Sequence, residues 1–327
     1  MFAGSIPQPG RIELVDVPEP PWPPPDDFGP AILFRPELAC LCGSDLPYFE
    51  KCEVRYPPGI GHSLHEMVGG VLATTGMRFQ RGDRVLAVPV DQKGLFERFV
   101  VSEQRAIRLS PGVPDDRLVI AQPFGTVLYA LRKQPALAGK TVAVVGQGPI
   151  GQLFNLALRE LGVARIIGLD RDPKRIVRSR AHGATDAVCT SETDAIEAVR
   201  DLTSGRLADL VIEAVGHAAQ TLNLCIDLVR PHGRLLVFGV PPATIDSVRW
   251  RDLFVKNITV HTSVNPDFDV DFPTAMQWIS EARIDVSGLL THRFPLTELQ
   301  TAFETFREHR DGALKVIVEF PGSERRA

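Results

Sequence analysis

One stretch of the sequence constrains the fold more than any other. A continuous apolar run, Thr141–Val145, leads directly into the hexapeptide Gly146–Gly151, with the sequence GQGPIG. Such a run is typical of a parallel strand covered on both faces. In this glycine spacing the first residue makes a tight turn, the second lets a pyrophosphate approach, and the third lets the next helix pack closely. The segment therefore predicts a dinucleotide-binding turn, with the phosphates at a helix N-terminus.

Strands and helices alternate after this turn. The predicted strands are Arg165–Leu169, Ala187–Cys189, Asp209–Glu213 and Arg234–Gly239, and the predicted helices are Pro173–His182, Glu192–Thr203 and Ala218–Leu228. This alternation predicts a doubly wound parallel sheet of the α/β class. A glycine turn that only closes an α/β unit is the simpler alternative for the hexapeptide.

Asp170 follows the second predicted strand and bears on the identity of the dinucleotide. Its carboxylate can accept hydrogen bonds from a ribose 2′-hydroxyl and would repel a 2′-phosphate, so it favours NAD over NADP. Arg171 and Arg175 leave NADP open, because either guanidinium could bind a phosphate.

The first 123 residues have a different sequence pattern: they contain short β-rich runs that proline and glycine interrupt. The predicted strands are Arg11–Val17, Ala31–Ala39, Val68–Thr74, Arg84–Val90 and Glu97–Val101. Their spacing is typical of a barrel or sandwich. Pro18–Asp27 holds six prolines and is predicted to be a stiff surface connection. Near the C-terminus we expect helices at Phe272–Ala282 and Glu298–Arg307 and a strand at Lys315–Phe320.

Composition narrows the class of protein. A length of 327 residues suggests two domains. The formal net charge is −4 without blocks of like charge, which does not indicate a nucleic-acid or anionic-membrane surface. We see neither a membrane-spanning run nor a signal peptide. The five irregularly spaced cysteines indicate a reducing compartment, and we expect a cytoplasmic enzyme.

A second group of residues carries metal chemistry. Cys42 would supply a thiolate, His65 an imidazole and Glu66 a carboxylate, and a catalytic zinc ion takes three such ligands and leaves a fourth position open. Taken alone, a cysteine and a histidine are more often ordinary core or surface residues.

The motifs around these residues strengthen the metal interpretation. Cys42–Asp45 (CGSD), His65–Val71 (HEMVGGV), Gly82–Val85 (GDRV) and the Gly146 turn resemble, in order, the hallmarks of the zinc-type medium-chain dehydrogenase/reductase family. The resemblance covers nearly the whole chain. It implies a GroES-like β-rich catalytic domain formed by residues 1–123 and 264–327, and a Rossmann domain formed by residues 124–263. By analogy with the family we expect a homodimer or homotetramer.

The resemblance also assigns roles by position. Cys42 and His65 resemble the zinc ligands, Glu66 the ligand of the polyol-dehydrogenase branch, Ser44 the hydroxyl that takes the substrate's proton, and Asp45 the carboxylate that orients the ligand histidine. The HExxGxV spacing favours His65 over His62 as the ligand. Lys315 is expected to reach either the pyrophosphate or Glu66, with a solvated surface lysine as the alternative. The residues assigned to the cofactor site are Gly146, Gly148, Pro149, Ile150, Gly151, Asp170, Arg171, Arg175, Val215, Gly239, Val240 and Lys315.

Three positions depart from the family pattern. Gln122 stands where an acidic residue or cysteine is expected, and an amide oxygen is a weak ligand. Pro47 stands where a proton-relaying histidine is expected. No cysteine occurs between Cys52 and Cys189, so the lobe that would bind a structural zinc with four cysteines is missing.

The sequence thus predicts an NAD-dependent dehydrogenase with one catalytic zinc. Its expected substrate is a secondary alcohol, of the polyol, sugar or cyclitol kind, which it oxidises to a ketone. One alternative is a zinc-free NAD(P)H reductase of the same fold. The other is a protein that binds NAD(H) without turnover.

Overall fold

The computed structural model describes residues 1–50, 58–216 and 219–322. The strands are β1 Phe2–Gln8, β2 Arg11–Asp16, β3 Ala31–Cys40, β4 Glu66–Thr74, β5 Arg84–Ala87, β6 Phe99–Ser102, β7 Ala106–Arg108, β8 Thr141–Val145, β9 Arg165–Asp170, β10 Asp186–Cys189, β11 Ala208–Glu213, β12 Val229–Val237, β13 Thr259–Thr262, β14 Leu290–Pro295 and β15 Lys315–Glu319. The α-helices are α1 Leu46–Glu50, α2 Asp115–Leu118, α3 Ala121–Arg132, α4 Pro149–Glu160, α5 Pro173–Ala181, α6 Ala195–Leu202, α7 Ala219–Leu228, α8 Trp250–Val255, α9 Asp271–Ser280 and α10 Leu299–Arg307.

The chain forms two compact units, and the first combines Met1–Gly125, Asp267–Ala282 and the residues from Val286 onward. It holds the β1–β2 hairpin and a seven-stranded sheet in the order β14-β15-β3-β4-β5-β7, with β6 paired to β3. Strand β15 runs antiparallel to β3 with Ile317 opposite Cys40. This register carries Lys315, the first residue of β15, to the level of Cys42.

Most predicted strands of this unit occur with end shifts of a few residues. Strand β5 ends at Ala87 instead of Val90, because Val90–Gln92 forms a 3-10 turn with positive φ at Asp91 and Gln92. The prediction omitted β1, β7 and β14, which are short or mix apolar and polar residues without regular alternation. Pro18–Asp27 lacks regular structure until a 3-10 turn begins at Asp26, and most of its residues are exposed.

The second unit comprises Thr126–Pro266 and Arg283–Asp285. Its six-stranded sheet has the order β10-β9-β8-β11-β12-β13, and every pair in it is parallel. The predicted parallel α/β fold is therefore confirmed. Strands β9 and β11 flank β8 on opposite sides, so the order reverses at the carboxyl end of β8, where ligands bind in open sheets of this kind.

No helix within the described ranges combines the length and the apolar composition needed to cross a membrane. Helix α7 begins at Ala219, and residue 218 of the predicted helix lies outside the described residues, as does Cys52.

Candidate active site

The three predicted metal ligands lie where strand β3 of the first unit ends beside the start of strand β4. Cys42 follows β3, His65 immediately precedes β4, and Glu66 is the first residue of β4. The two strands are antiparallel, with Cys40 opposite Glu66. The thiol, imidazole and carboxylate ligand atoms consequently all lie within 4.8 Å of one another.

Asp45 stabilises the two segments that carry Cys42 and His65. Its carboxylate is fully buried and accepts hydrogen bonds from the Cys42 N–H at 2.7 Å, the Leu64 N–H at 2.8 Å and the Ser63 hydroxyl at 2.8 Å. Burial alone would raise the pKa of Asp45, but His65 and these N–H groups lower it below its usual value. The ionised carboxylate thus ties the Cys42 segment to the segment that precedes His65.

His65 faces Asp45 without a direct hydrogen bond between them. The His65 Nδ1 atom lies 3.8 Å from the Asp45 carboxylate, and among the described residues it has no hydrogen-bond partner. Burial would lower the pKa of the imidazole, but Asp45 and Cys42 raise it well above its usual value. Asp45 thus acts on His65 through its charge, while its hydrogen bonds go to the loop, and its role in orienting His65 stays a prediction.

Glu66 forms a buried ion pair with Lys315. The ammonium lies 2.6 Å from the Glu66 Oε1 atom, also contacts Oε2, and donates to the Leu41 carbonyl at 3.4 Å. Lys315 is 1% exposed. Burial would lower the pKa of Lys315, but the Glu66 carboxylate raises it above its usual value. The alternative of a solvated surface lysine is therefore wrong, and Lys315 reaches Glu66; its contact with a cofactor pyrophosphate stays a prediction.

The chemistry of this cluster fits a zinc ion. Thiolate, imidazole and carboxylate are the ligand types of catalytic zinc sites. The Ser44 hydroxyl, in the 3-10 turn Gly43–Asp45, is buried without a hydrogen-bond partner among the described residues. A buried polar group without a partner calls for an explanation, and a bound ligand supplies one. Cys42, His65 and Glu66 are the residues that would hold the metal.

The structure locates two residues that depart from the family pattern, Gln122 and Pro47, and the alternative ligand His62. Gln122 lies in the first turn of α3 and is 7% exposed. Pro47 is the second residue of α1. The ring of His62 stacks on Tyr48, with the ring centroids 4.8 Å apart, and His62 does not belong to the ligand cluster.

The glycine turn lies at the carboxyl end of β8 in the second unit. Gly146 has φ +95°, a conformation that favours glycine. A Cβ atom at Gly151 would lie 1.9 Å from the Gly146 carbonyl oxygen, whereas a Cβ at Gly148 would meet only Arg175, at 3.9 Å. Pro149 and Ile150 begin helix α4, with Gly148 as its N-cap. The turn therefore has the geometry that the glycine spacing predicted.

The residues expected to select the cofactor lie beside this turn. The Asp170 carboxylate accepts hydrogen bonds from the Gln147 N–H at 2.7 Å and the Asp172 N–H at 2.9 Å. The Arg175 guanidinium approaches the same carboxylate at 3.6 Å, and Arg171 is exposed. Asp170 and Arg175 are thus brought together, and each remains a candidate for ribose or phosphate recognition.

The sequence analysis missed Glu213, at the end of β11. It is 4% exposed, and its carboxylate accepts hydrogen bonds from the Val215 and Gly216 N–H groups at 3.0 and 3.1 Å. A Cβ atom at Gly239 would lie 2.7 Å from the same carboxylate, and Val240 is exposed. The sequence does contain a signal for Glu213: it is an acidic residue at the end of an apolar strand, and small residues follow it. Glu213 fixes the loop that carries Val215, one of the predicted cofactor residues.

Comparisons with known proteins agree with this geometry. Residues 149–281 match the family model described as zinc-binding dehydrogenase. An L-threonine 3-dehydrogenase from Bacillus licheniformis is 26% identical over 88% of this chain and 91% of its own length. A sorbitol dehydrogenase from Bacillus subtilis is 24% identical over 90% of this chain and 92% of its own length. The solved structure of an alcohol dehydrogenase from Thermus sp. ATN1 has a TM-score of 0.83 at 26% identity, and the match covers 98% of this chain and 99% of that one.

The fold and these matches define an oxidoreductase of the dehydrogenase class. Residues 149–281 match the zinc-binding dehydrogenase model, and most of the chain is similar to threonine, sorbitol and alcohol dehydrogenases, in agreement with the motif resemblance to the zinc-type medium-chain dehydrogenase/reductase family.

Proposed function

We propose that the protein oxidises a secondary alcohol to a ketone, with one catalytic zinc ion and with NAD as hydride acceptor. The observation that carries this proposal is the ligand cluster of Cys42, His65 and Glu66 next to a buried hydroxyl, that of Ser44, which has no partner among the described residues. The proposal includes a polyol, sugar or cyclitol-like substrate. Its support is the carboxylate ligand Glu66 and the likeness to a sorbitol dehydrogenase.

The residues of the chain have separate tasks in this reaction. When bound, zinc supplies a Lewis acid that lowers the pKa of the alcohol, and NAD supplies the hydride acceptor. Ser44 accepts the hydroxyl proton of the substrate. Asp45 holds the Cys42 and Leu64 backbone N–H groups and so fixes the loops on which two ligands lie. Lys315 balances the charge of Glu66.

NAD is proposed over NADP because Asp170 places a carboxylate beside the turn. A carboxylate accepts from a ribose 2′-hydroxyl and repels a 2′-phosphate. Arg175 lies 3.6 Å from that carboxylate and offsets part of its charge, so the preference is expected to be moderate.

The decisive experiment combines metal analysis with an activity screen. Purified protein should contain about one zinc per chain and should reduce NAD with some secondary alcohols or polyols. Cys42→Ala should lose both the metal and the activity, whereas Cys189→Ala, a free thiol on the second unit, should lose neither. Zinc-free protein whose activity is unaffected by chelators would refute the zinc assignment.

A zinc-free NAD(P)H reductase of the same fold is the second candidate. Two observations favour it: Gln122 offers only a neutral amide, and Lys315 already compensates the charge of Glu66 without a metal. Metal-free protein that reduces an activated double bond or a quinone would establish this alternative. A protein that binds NAD(H) without any turnover would instead fail every substrate screen.

We also propose a homodimer formed through the sheet of the second unit. Strand β13 ends that sheet, and α8, which precedes it in the chain, exposes Trp250 (71%), Phe254 (80%) and Val255 (66%). An unpaired strand edge and an exposed apolar patch together fit a self-complementary contact. Light scattering should show a dimer or tetramer, and Phe254→Glu should shift it toward the monomer.

The proposed compartment is the cytoplasm, supported by the free thiols of Cys40, Cys42, Cys189 and Cys225.

A further inference from the structure

A network of fully buried polar side chains lies beneath the glycine turn of the second unit. It consists of Gln147, Gln152, Asn155 and Ser179, each with 0% exposure. Four buried polar side chains in one place are costly unless they bind one another. We call this group the buried amide network.

Gln147 is the centre of the network. Its side-chain amide donates to the Val144 carbonyl at 3.0 Å, on strand β8. Its side-chain oxygen accepts from the Asn155 amide on α4 at 2.7 Å and from the Ser179 hydroxyl on α5 at 2.7 Å. One side chain thus joins a strand and two helices around the turn. The Gln147 side chain fits here because residue 168 is a glycine: a Cβ atom at Gly168 would lie only 2.9 Å from the Gln147 amide group.

The network continues to the backbone of the cofactor-selecting residues. The Gln152 amide donates to the Gln147 carbonyl at 3.0 Å and to the Arg175 carbonyl at 3.2 Å. The Ser179 hydroxyl, whose single proton also faces the Gln147 side-chain oxygen, lies 2.9 Å from the same Arg175 carbonyl, so the two oxygens share it as donor. The Gln147 N–H in turn donates to Asp170. The turn, Asp170 and Arg175 are therefore all tied to one set of side chains.

We propose that Gln147 is a positioning residue for the cofactor. Its side chain orders the glycine turn together with Asp170 and Arg175 before the cofactor binds. The inference rests on the proposed NAD-dependent function. The physical reason is preorganisation: a site that is already ordered loses less conformational freedom on binding and so binds more tightly. Because Asp170 and Arg175 favour different groups on the ribose, their placement also bears on the choice between NAD and NADP.

The test replaces Gln147 with leucine, which keeps most of the volume and removes the amide. The Val144 carbonyl, the Asn155 amide and the Ser179 hydroxyl then each lose a hydrogen bond. We expect the dissociation constant for NADH, measured by fluorescence titration, to rise at least about fivefold. Amide hydrogen exchange in the free protein should accelerate at Gln147 and Asp172. The KM for the alcohol should stay near the wild-type value.

Gln134→Leu is the matched control. Gln134 is also buried and belongs to the second unit, but its side-chain amide has no hydrogen-bond partner in the described parts of the chain. Its replacement should leave NADH binding and exchange at the turn unchanged. A Gln147→Leu protein with a lower melting temperature but unchanged NADH affinity and unchanged exchange would overturn the proposal.

A second pair of variants separates positioning from packing. Gln147→Ala leaves space, and Gly168→Ala in the same protein adds a methyl group where Gln147 had been. The double variant should recover much of the melting temperature that Gln147→Ala loses, while NADH binding stays weak. Recovery of both would show that Gln147 only fills space. Wild-type protein that bound neither NADH nor NADPH would refute the proposed function and the cofactor role together, and hydrogen exchange would then report only on the ordering of the turn.

Discussion

The ligand cluster of the first unit and the glycine turn of the second unit are stabilised in opposite ways. The ligand cluster of the first unit is supported by buried charges, those of the Glu66–Lys315 pair and of the Asp45 carboxylate. The glycine turn of the second unit is braced mainly by neutral amides centred on Gln147. In the cluster, Ser44 and His65 each keep a buried polar atom without a hydrogen-bond partner among the described residues. We therefore propose that a ligand completes the cluster, whereas the turn is ordered by its own side chains, although the Asn155 Oδ1 atom also has no hydrogen-bond partner among the described residues.

Loss of Lys315 should have the largest effect on stability. Lys315→Met leaves the buried Glu66 carboxylate without its partner, and removing one member of a buried ion pair costs about 3–5 kcal/mol. Zinc supplies positive charge to the same carboxylate, so the loss should be large in metal-free protein and much smaller with zinc. Urea denaturation with and without zinc measures both.

Two controls show whether the effect depends on buried charge. Lys315→Met combined with Glu66→Gln removes both charges and should restore much of the metal-free stability. Arg249→Met breaks an exposed ion pair with Asp227, and surface pairs contribute only about 0–1 kcal/mol. Equal losses for Lys315→Met with and without zinc would show that Glu66 is not a ligand.

Asp45→Asn should weaken the metal site with less damage to the fold. Asparagine offers one acceptor oxygen where the carboxylate has two, so the Cys42 N–H or the Ser63–Leu64 pair of donors loses its acceptor. Removing such a supporting partner typically weakens metal affinity about 10–100-fold. Competition with a chelator measures this loss. Glu103→Gln, a buried carboxylate of the same unit that binds Thr74 and Arg78, should leave zinc affinity unchanged.

At the glycine turn, we expect the stability of the protein to depend on steric fit instead of on buried charge. Gly151→Ala sets a methyl group 1.9 Å from the Gly146 carbonyl and should destabilise the protein by about 1–3 kcal/mol. Gly148→Ala meets only Arg175, at 3.9 Å, so stability should change little. NADH binding should still weaken, because the methyl group occupies the approach of the pyrophosphate. Thermal unfolding and NADH titration of both variants give the comparison, and equal destabilisation by the two would contradict it.

The sequence predicted the second unit better than the first for a physical reason. A parallel strand buried on both faces is apolar throughout, so β8 was located at its observed ends, Thr141 and Val145. Strand β14 mixes polar and apolar residues and gave no such signal. Strand β12 begins at Val229, five residues before its predicted start, because Pro231 and Gly233 resemble a turn.

Within the site, motif spacing indicated the residue types, whereas the contact of Lys315 with Glu66 was expected only from the family resemblance and only as one of two alternatives. Cys42, His65 and Glu66 were identified from motif spacing. The Glu66–Lys315 pair spans 249 positions and depends on the antiparallel pairing of β15 with β3, which no local pattern encodes. The roles of Gln147 and Glu213 were missed because buried polar residues cannot be told from exposed ones until their partners are known.

The smallest predicted effect tests how far the glycine turn still depends on charge. Asp170→Asn keeps one acceptor oxygen for the Gln147 N–H and removes the charge that faces Arg175. NADH affinity should fall about fivefold, and NADPH affinity should rise, because Arg175 is released toward a 2′-phosphate. Asp194→Asn, in the N-cap of α6, should leave the ratio of the two affinities unchanged, because its carboxylate binds the Ile196 and Glu197 N–H groups and is not paired with Arg175 in the described residues. If Asp170→Asn left that ratio unchanged too, cofactor choice would depend on the shape of the turn instead of on Asp170. The contrast between a charged ligand cluster and a neutral cofactor turn would then hold for recognition as well as for stability.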